Sequence, residues 1–173
     1  DDTQAVADLA HQIEIDFKPG DPEQRVFVDG TEVTTAIRQN EINANVSAVA
    51  AIPAVREEMT AQQRQIAARG GIVMDGRDIG TTVLPTAQVK VFLVASAAER
   101  ARRRFEENKR KGIATTTLEE LQAAIERRDK LDSEREVSPL TQAPDATRLD
   151  STHLTIDQVV DEISGLIKKS ASN

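Results

Sequence analysis

Two short apolar runs, Ile72-Val73-Met74 and Val89 to Val94, constrain this chain more than any other feature. Each is bounded by glycine or polar residues, and neither alternates apolar with polar positions. A strand buried on both faces reads this way, and such strands belong to parallel sheets covered by helices. The segments around them carry helical signals. Thr35 to Ala51 and Pro53 to Arg69 read as helices, with Pro53 suited to a first turn and Gly70-Gly71 ending the second. Ala97 to Lys111 is a third, stopped by Gly112. Thr117 to Glu134 is a fourth, with Thr117 and Glu120 at capping-box spacing. Leu149 opens a last short strand, and Thr155 to Lys168 a closing amphipathic helix. The class is therefore α/β.

The N-terminal part breaks that pattern. Residues 1–10 read as the tail of a helix, and His11 to Lys18 alternates Ile13, Ile15 and Phe17 with polar neighbours. Pro19-Gly20-Asp21-Pro22 is a turn, Arg25 to Val28 a strand, Asp29-Gly30 a hairpin turn and Thr31 to Val33 another strand. A small antiparallel sheet inside a parallel α/β chain reads as an insertion. The start, Asp-Asp-Thr-Gln, is neither a leader peptide nor a Met start and reads as the middle of a gene product.

Composition narrows the partners. With four Phe and no Trp or Tyr, the core must be aliphatic; with no Cys, disulfides and thiolate metal sites are excluded. No apolar run reaches 18 residues, so no membrane helix is expected. Net charge is −7, which argues against general nucleic-acid binding, yet Glu99 to Lys111 holds seven basic residues against three acidic ones. That local +4 on an acidic chain points to a small anionic ligand.

Asp75-Gly76-Arg77-Asp78-Ile79-Gly80 follows the first apolar run, and the carboxyl end of a strand is where open α/β sheets bind ligands. Two carboxylates and an arginine between glycines are costly to bury without a ligand, although the same stretch reads equally as a turn. Arg128, Asp132 and Arg135, at i, i+4 and i+7, share one helical face. Alone, that spacing describes a solvated, salt-bridged face, as does the pair Arg100 and Arg104. Ser47, Arg56 and Arg64 carry no signal individually, and His11 and His153 have no ligand spacing.

In order, the antiparallel insert, Ser47 within Asn45-x-x-Ala48, Pro53-x-x-Arg56, Asp75-Gly-Arg-Asp-Ile-Gly, Glu99-Arg-x-Arg-Arg-Arg, Arg128-x-x-x-Asp132-x-x-Arg135 and Pro139-Leu140 resemble bacterial cytidylate kinases over essentially all 173 residues. The resemblance implies a doubly wound parallel sheet of the P-loop NTPase type, helices on both faces, with a small antiparallel insert. Residues 1–10 and 70–173 would form the kinase core, with a lid near 103–116, and residues 11–69 the CMP-binding insert. The implied reaction is transfer of the ATP γ-phosphoryl group to CMP or dCMP in pyrimidine nucleotide metabolism, by a cytoplasmic monomer using Mg²⁺ with ATP. Arg77, Arg128 and Arg135 would grip the CMP phosphate, as guanidinium forks match phosphate oxygens. Asp132 would accept from the sugar hydroxyls, Asp78 from the cytosine amino group, and Ser47 and Arg56 would read the rest of the base. Arg100 would lie near the adenine, Arg103 and Arg104 toward the ATP phosphates, and Asp75 is the candidate Mg²⁺ ligand.

The 173 residues contain no Gly-x-x-x-x-Gly-Lys-Ser/Thr run. The family's phosphate-binding loop is expected before Asp1, together with the central strand, and this chain alone is expected to be inactive. The alternative from a different class is a non-catalytic nucleotide-binding remnant that keeps the CMP platform.

Overall fold

A computed structural model describes residues 2–21, 23–113 and 116–172. Pro22, at the end of the expected turn, and Asp1 lie outside the described residues, as do Ala114 and Thr115 of the expected lid. The chain divides into two compact units, Asp1–Val73 and Met74–Asn173.

In the first unit, α1 (Thr3–Gln12) is capped by the Asp2 carboxylate, which accepts from the Ala5 N–H. The helix runs on through His11 and Gln12, where the alternation predicts a strand from His11. Its last turn holds because Ile13 N–H donates to Leu9 O at 3.1 Å, so β1 begins only at Ile15 (Ile15–Lys18). β1 pairs antiparallel with β2 (Arg25–Val28), and β2 with the two-residue β3 (Thr31–Glu32). Asp29 and Gly30 sit at φ 49° and 75°, the left-handed pair a two-residue hairpin needs. The predicted helix from Thr35 is broken: a 3₁₀ turn at Ala36–Arg38 ends at Gln39, which is extended with ψ 152°, and α2 is Asn40–Ala50. α3 (Pro53–Ala67) has Pro53 in its first turn and ends before Gly70 and Gly71, both at positive φ. α1 packs on α3, where His11 Nδ1 lies 2.8 Å from Glu58 Oε2 and Gln62 donates to Ile13 O at 3.1 Å.

In the second unit, β4 (Val91–Val94) pairs parallel with β5 (Thr147–Asp150), Leu93 opposite Leu149. The buried parallel strand expected at Ile72-Val73-Met74 is not there. The segment joins no ladder among the described residues, and Val73 is 87% exposed. An apolar run specifies a buried strand only where a neighbouring strand supplies hydrogen bonds and a helix covers its face, and these three residues have neither. β4 likewise is not buried on both faces, since Leu93 is 53% exposed. The class is α/β as expected, realised here as one parallel pair and one antiparallel sheet with helices.

Four caps fix the helices of this unit. Ser96 Oγ accepts from Glu99 N–H to open α4 (Ala97–Arg110). α4 closes at Gly112, φ 65°, with Ile113 N–H donating to Asn108 O and Gly112 N–H to Lys109 O, the paired bonds of a Schellman end. Capping boxes at Thr117/Glu120 and Thr155/Gln158 open α5 (Leu118–Glu134) and α6 (Ile156–Ala171). α4 packs along α5, and Ala101, Val83 and Ala143 are among the buried core side chains.

Candidate active site

Asp75 to Asp78 form an open turn leading into a single wide turn, Ile79–Val83, in which Asp78 O accepts from Thr82 N–H at 2.8 Å and Leu84 N–H donates to Ile79 O at 2.7 Å. Gly76 is required by space: a Cβ there would stand 2.9 Å from Ile79 Cγ1. The turn sends neighbouring side chains to different partners on α5. Arg77 Nε donates to Asp132 Oδ2 at 3.0 Å, while the Asp78 carboxylate lies 3.6 Å from Arg135 Nη2.

α5 supplies the other half. Asp132 is buried, its side chain 5% exposed, and its carboxylate stands between Arg77 and Arg128, whose Nε is 3.7 Å away. Its backbone carbonyl accepts from Leu140 N–H at 2.8 Å, which folds the following loop back along the helix. Arg135 caps α5 in an extended conformation and donates from Nε to Ser138 O at 2.6 Å; Ser138 itself sits at φ 50°. Asp78 and Arg135 are both about nine-tenths buried (side chains 9% and 11% exposed). Arg128 is held below the ordinary guanidinium range, by burial first and then by the charge of Arg77, with Asp132 opposing. A partly exposed group of arginines around one carboxylate keeps an excess of positive charge, so an anion is what it can bind.

On α4 the arginines are differently engaged. Arg100 donates through Nη1 and Nη2 to the two oxygens of Asp129 at 2.9 and 2.5 Å, and through Nε to Ala95 O at 3.0 Å. Arg103 donates to Glu99 Oε1 at 2.7 Å, to Ser151 O at 2.5 Å and to Leu154 O at 3.3 Å. Arg104 is exposed. Residues 103–110 of the expected lid are thus ordinary helix.

The cytidylate kinase family model matches residues 1–169. Over 169 residues the chain is 71% identical to a cytidylate kinase of Limosilactobacillus reuteri (strain DSM 20016), covering 98% of this chain and 74% of that protein. It is 65% identical to one of Limosilactobacillus fermentum over 165 residues (95% and 73%) and 57% identical to one of Lactiplantibacillus plantarum over 172 residues (99% and 75%). The chain belongs to the cytidylate kinase family.

Within this cytidylate kinase chain, Arg77, Asp78, Arg128, Asp132 and Arg135 come together in one unit through the loop–helix pairs above. Ser47 and Arg56 lie in the other unit. Ser47 is half-buried on α2, and Arg56 donates from Nη1 to Ala50 O at 3.0 Å, bracing the end of α2 against the start of α3. Asp75 is exposed, and among the described residues no group of three or more carboxylates or imidazoles could hold a metal ion. Sequence reasoning missed Asp129, which clasps Arg100, and Ser151, which is 2% exposed and receives Arg103 while donating to Val94 O at 3.1 Å. Asp129 lay in plain view beside Arg128, but spacing along α5 gives no hint of a partner on α4.

Proposed function

We propose that this chain carries the nucleotide-monophosphate side of an ATP:CMP phosphotransferase. The observation that supports it best is the Arg77–Asp132–Arg128 group: a buried carboxylate shared by two partly exposed arginines. In this reading Arg77 and Arg128, with Arg135 at the end of α5, grip the CMP phosphate. Asp132 exchanges part of its arginine contact for the sugar hydroxyls. Asp78 accepts from the cytosine amino group, and Ser47 and Arg56 complete the reading of the base. Uracil offers a carbonyl where cytosine offers the amino donor, so a carboxylate at that point rejects UMP. Arg103 and Arg104 turn toward the ATP phosphates, with Arg100, still clasped by Asp129, near the adenine.

The fold we assign to the active enzyme is the doubly wound nucleoside monophosphate kinase sheet, in which β4 and β5 are two of several parallel strands. We keep the functional division into a core of residues 1–10 and 70–173 and an insert of residues 11–69; it differs from the compact units at residues 1–10 and 70–73, α1 packing on α3. Phosphoryl transfer of this kind is mostly positioning and charge neutralisation, and a divalent cation accompanies ATP; Asp75 is the residue that would help to hold it. No helix among the described residues is long and apolar enough to cross a membrane, and we place the enzyme in the cytoplasm as a monomer.

Calorimetric titration of the chain with CMP and UMP tests the base reading. CMP should bind at least about tenfold more tightly, the value of one charge-assisted hydrogen bond set against a repelled carbonyl. Equal affinities would remove Asp78 from that role.

A further inference from the structure

Asp129 takes no part in the site as described, yet it is tied to both of its sides. Its two oxygens accept from Nη1 and Nη2 of Arg100 in a parallel, two-point clasp, a geometry that fixes orientation as well as distance. Arg100 also donates from Nε to Ala95 O, so each of its three guanidinium nitrogens is engaged. One helical turn further along α4, on the same side, stands Arg104. On α5, Asp129 directly follows Arg128, and Arg128 feels the like charges of Arg77 and Arg104 and the opposite charges of Asp132 and Asp129. Arg104 on α4 and Arg128 on α5 repel one another, and they stay near each other only if the two helices are held in register.

We infer that Asp129 is a positioning residue: by clasping Arg100 it registers α4 against α5 so that Arg104 is held near Arg128 and Arg77 before any anion arrives. This rests on reading Arg77, Arg104 and Arg128 as a phosphate platform. Asp129 touches no ligand in this account. It offsets the mutual repulsion of the platform and so preorganises it.

The sign of one substitution separates this from plain electrostatics. Asp129→Asn removes a negative charge beside a cationic cluster. If Asp129 were only a nearby charge, anions would bind more tightly to the variant. If it positions α4, they bind more weakly. The probe is inorganic tripolyphosphate, which has no base or sugar, titrated calorimetrically into the 173-residue chain at fixed low ionic strength. We expect Asp129→Asn and Arg100→Lys each to weaken binding about tenfold, as the loss of a charge-assisted clasp implies. Asp129→Glu, which keeps the two-oxygen acceptor, should stay within about threefold. The double variant Arg100→Lys/Asp129→Asn should be no worse than either single one, because both break the same contact. Tighter or unchanged binding by Asp129→Asn, additive losses, or a wild-type chain that binds no tripolyphosphate overturns the inference. Should Asp129→Asn lose its helical circular-dichroism signal, Arg100→Lys carries the same comparison with the carboxylate intact. A chain that binds tripolyphosphate but does not prefer CMP to UMP refutes the function proposed above and leaves the clasp to be judged by its own variants.

Discussion

Replacing Asp78 by Asn changes little volume and removes one charge from a buried pair. Removing one partner of such a pair costs about 3–5 kcal/mol, because the other charge is left uncompensated in a poorly solvated place. Two details moderate that here. The separation of 3.6 Å is longer than a hydrogen bond, and Arg135 keeps its 2.6 Å bond to Ser138 O. We therefore expect a loss of about 2–3 kcal/mol, which for a chain of this size lowers the thermal midpoint by roughly 4–12 °C. In an active enzyme containing this chain, the same variant should lose roughly tenfold to hundredfold in kcat/KM for CMP, worth about 1.5–3 kcal/mol, while UMP use is almost unchanged. Scanning calorimetry gives the first quantity and a coupled-enzyme assay with both nucleotides the second. Adding Arg135→Leu to Asp78→Asn should recover stability, since no lone charge remains buried, but not discrimination. A variant that is destabilised yet still discriminates as before would refute the reasoning and leave Asp78 as a turn residue.

Arg135→Ala should lower kcat in the active enzyme far more than Arg110→Ala, because Arg135 is buried at the loop–helix junction and Arg110 is exposed at the end of α4; equal effects in a steady-state assay would misplace the phosphate site. The Glu99 carboxyl is held down to about 2, chiefly by its hydrogen bonds from Arg102 and then Arg103. Its folded value lies below its ordinary 4.5, so its stabilising contribution is present above that pH and is lost as pH falls toward about 2. Glu99→Gln should flatten that acid-side loss in denaturant titrations between those limits, and an unchanged pH profile would show the contacts to be inconsequential. The 173-residue polypeptide, which contains no Gly-x-x-x-x-Gly-Lys-Ser/Thr run, should form no CDP from ATP and CMP above background. Turnover at ordinary kinase rates, about 1–100 per second, would refute that expectation.

Local signals in the sequence were strong wherever structure is decided locally. The caps at Thr117 and Gly112, the hairpin turn at Asp29-Gly30 and the first-turn Pro53 all stand where their chemistry puts them. They are legible because each satisfies its own backbone within a few residues. Ile72-Val73-Met74 shows the opposite case. A strand is defined by its neighbours, and an apolar composition says what the segment prefers to bury but not whether anything is there to bury it. The break at Gln39 was hidden for a related reason: nothing in Thr35 to Ala51 is a helix breaker, and the 3₁₀ turn is closed by Arg38 N–H to Thr35 O and Gln39 N–H to Ala36 O just after the sheet.

The site was half legible, and its geometry explains which half. Helical periodicity correctly put Arg128 and Asp132 on one face of α5, where they stand 3.7 Å apart. It could not show that Asp132 would also meet Arg77, from a loop 55 residues earlier. Nor could it show that adjacent loop residues would meet α5 with opposite sign, Arg77 donating to Asp132 and Asp78 facing Arg135. These crossed pairs define the loop's register on the helix. Sliding the loop by one residue would set either Arg77 against Arg135 or Asp78 against Asp132, depending on the direction, like charges in a poorly solvated place. The ion pairs thus specify position more than they add stability, a role buried charges can fill even when an apolar substitute would be more stable. Gly76 belongs to the same arrangement. It leaves room for Ile79, so the backbone can turn tightly enough to send successive side chains to Asp132 in the last turn of α5 and to Arg135, the extended residue that caps it.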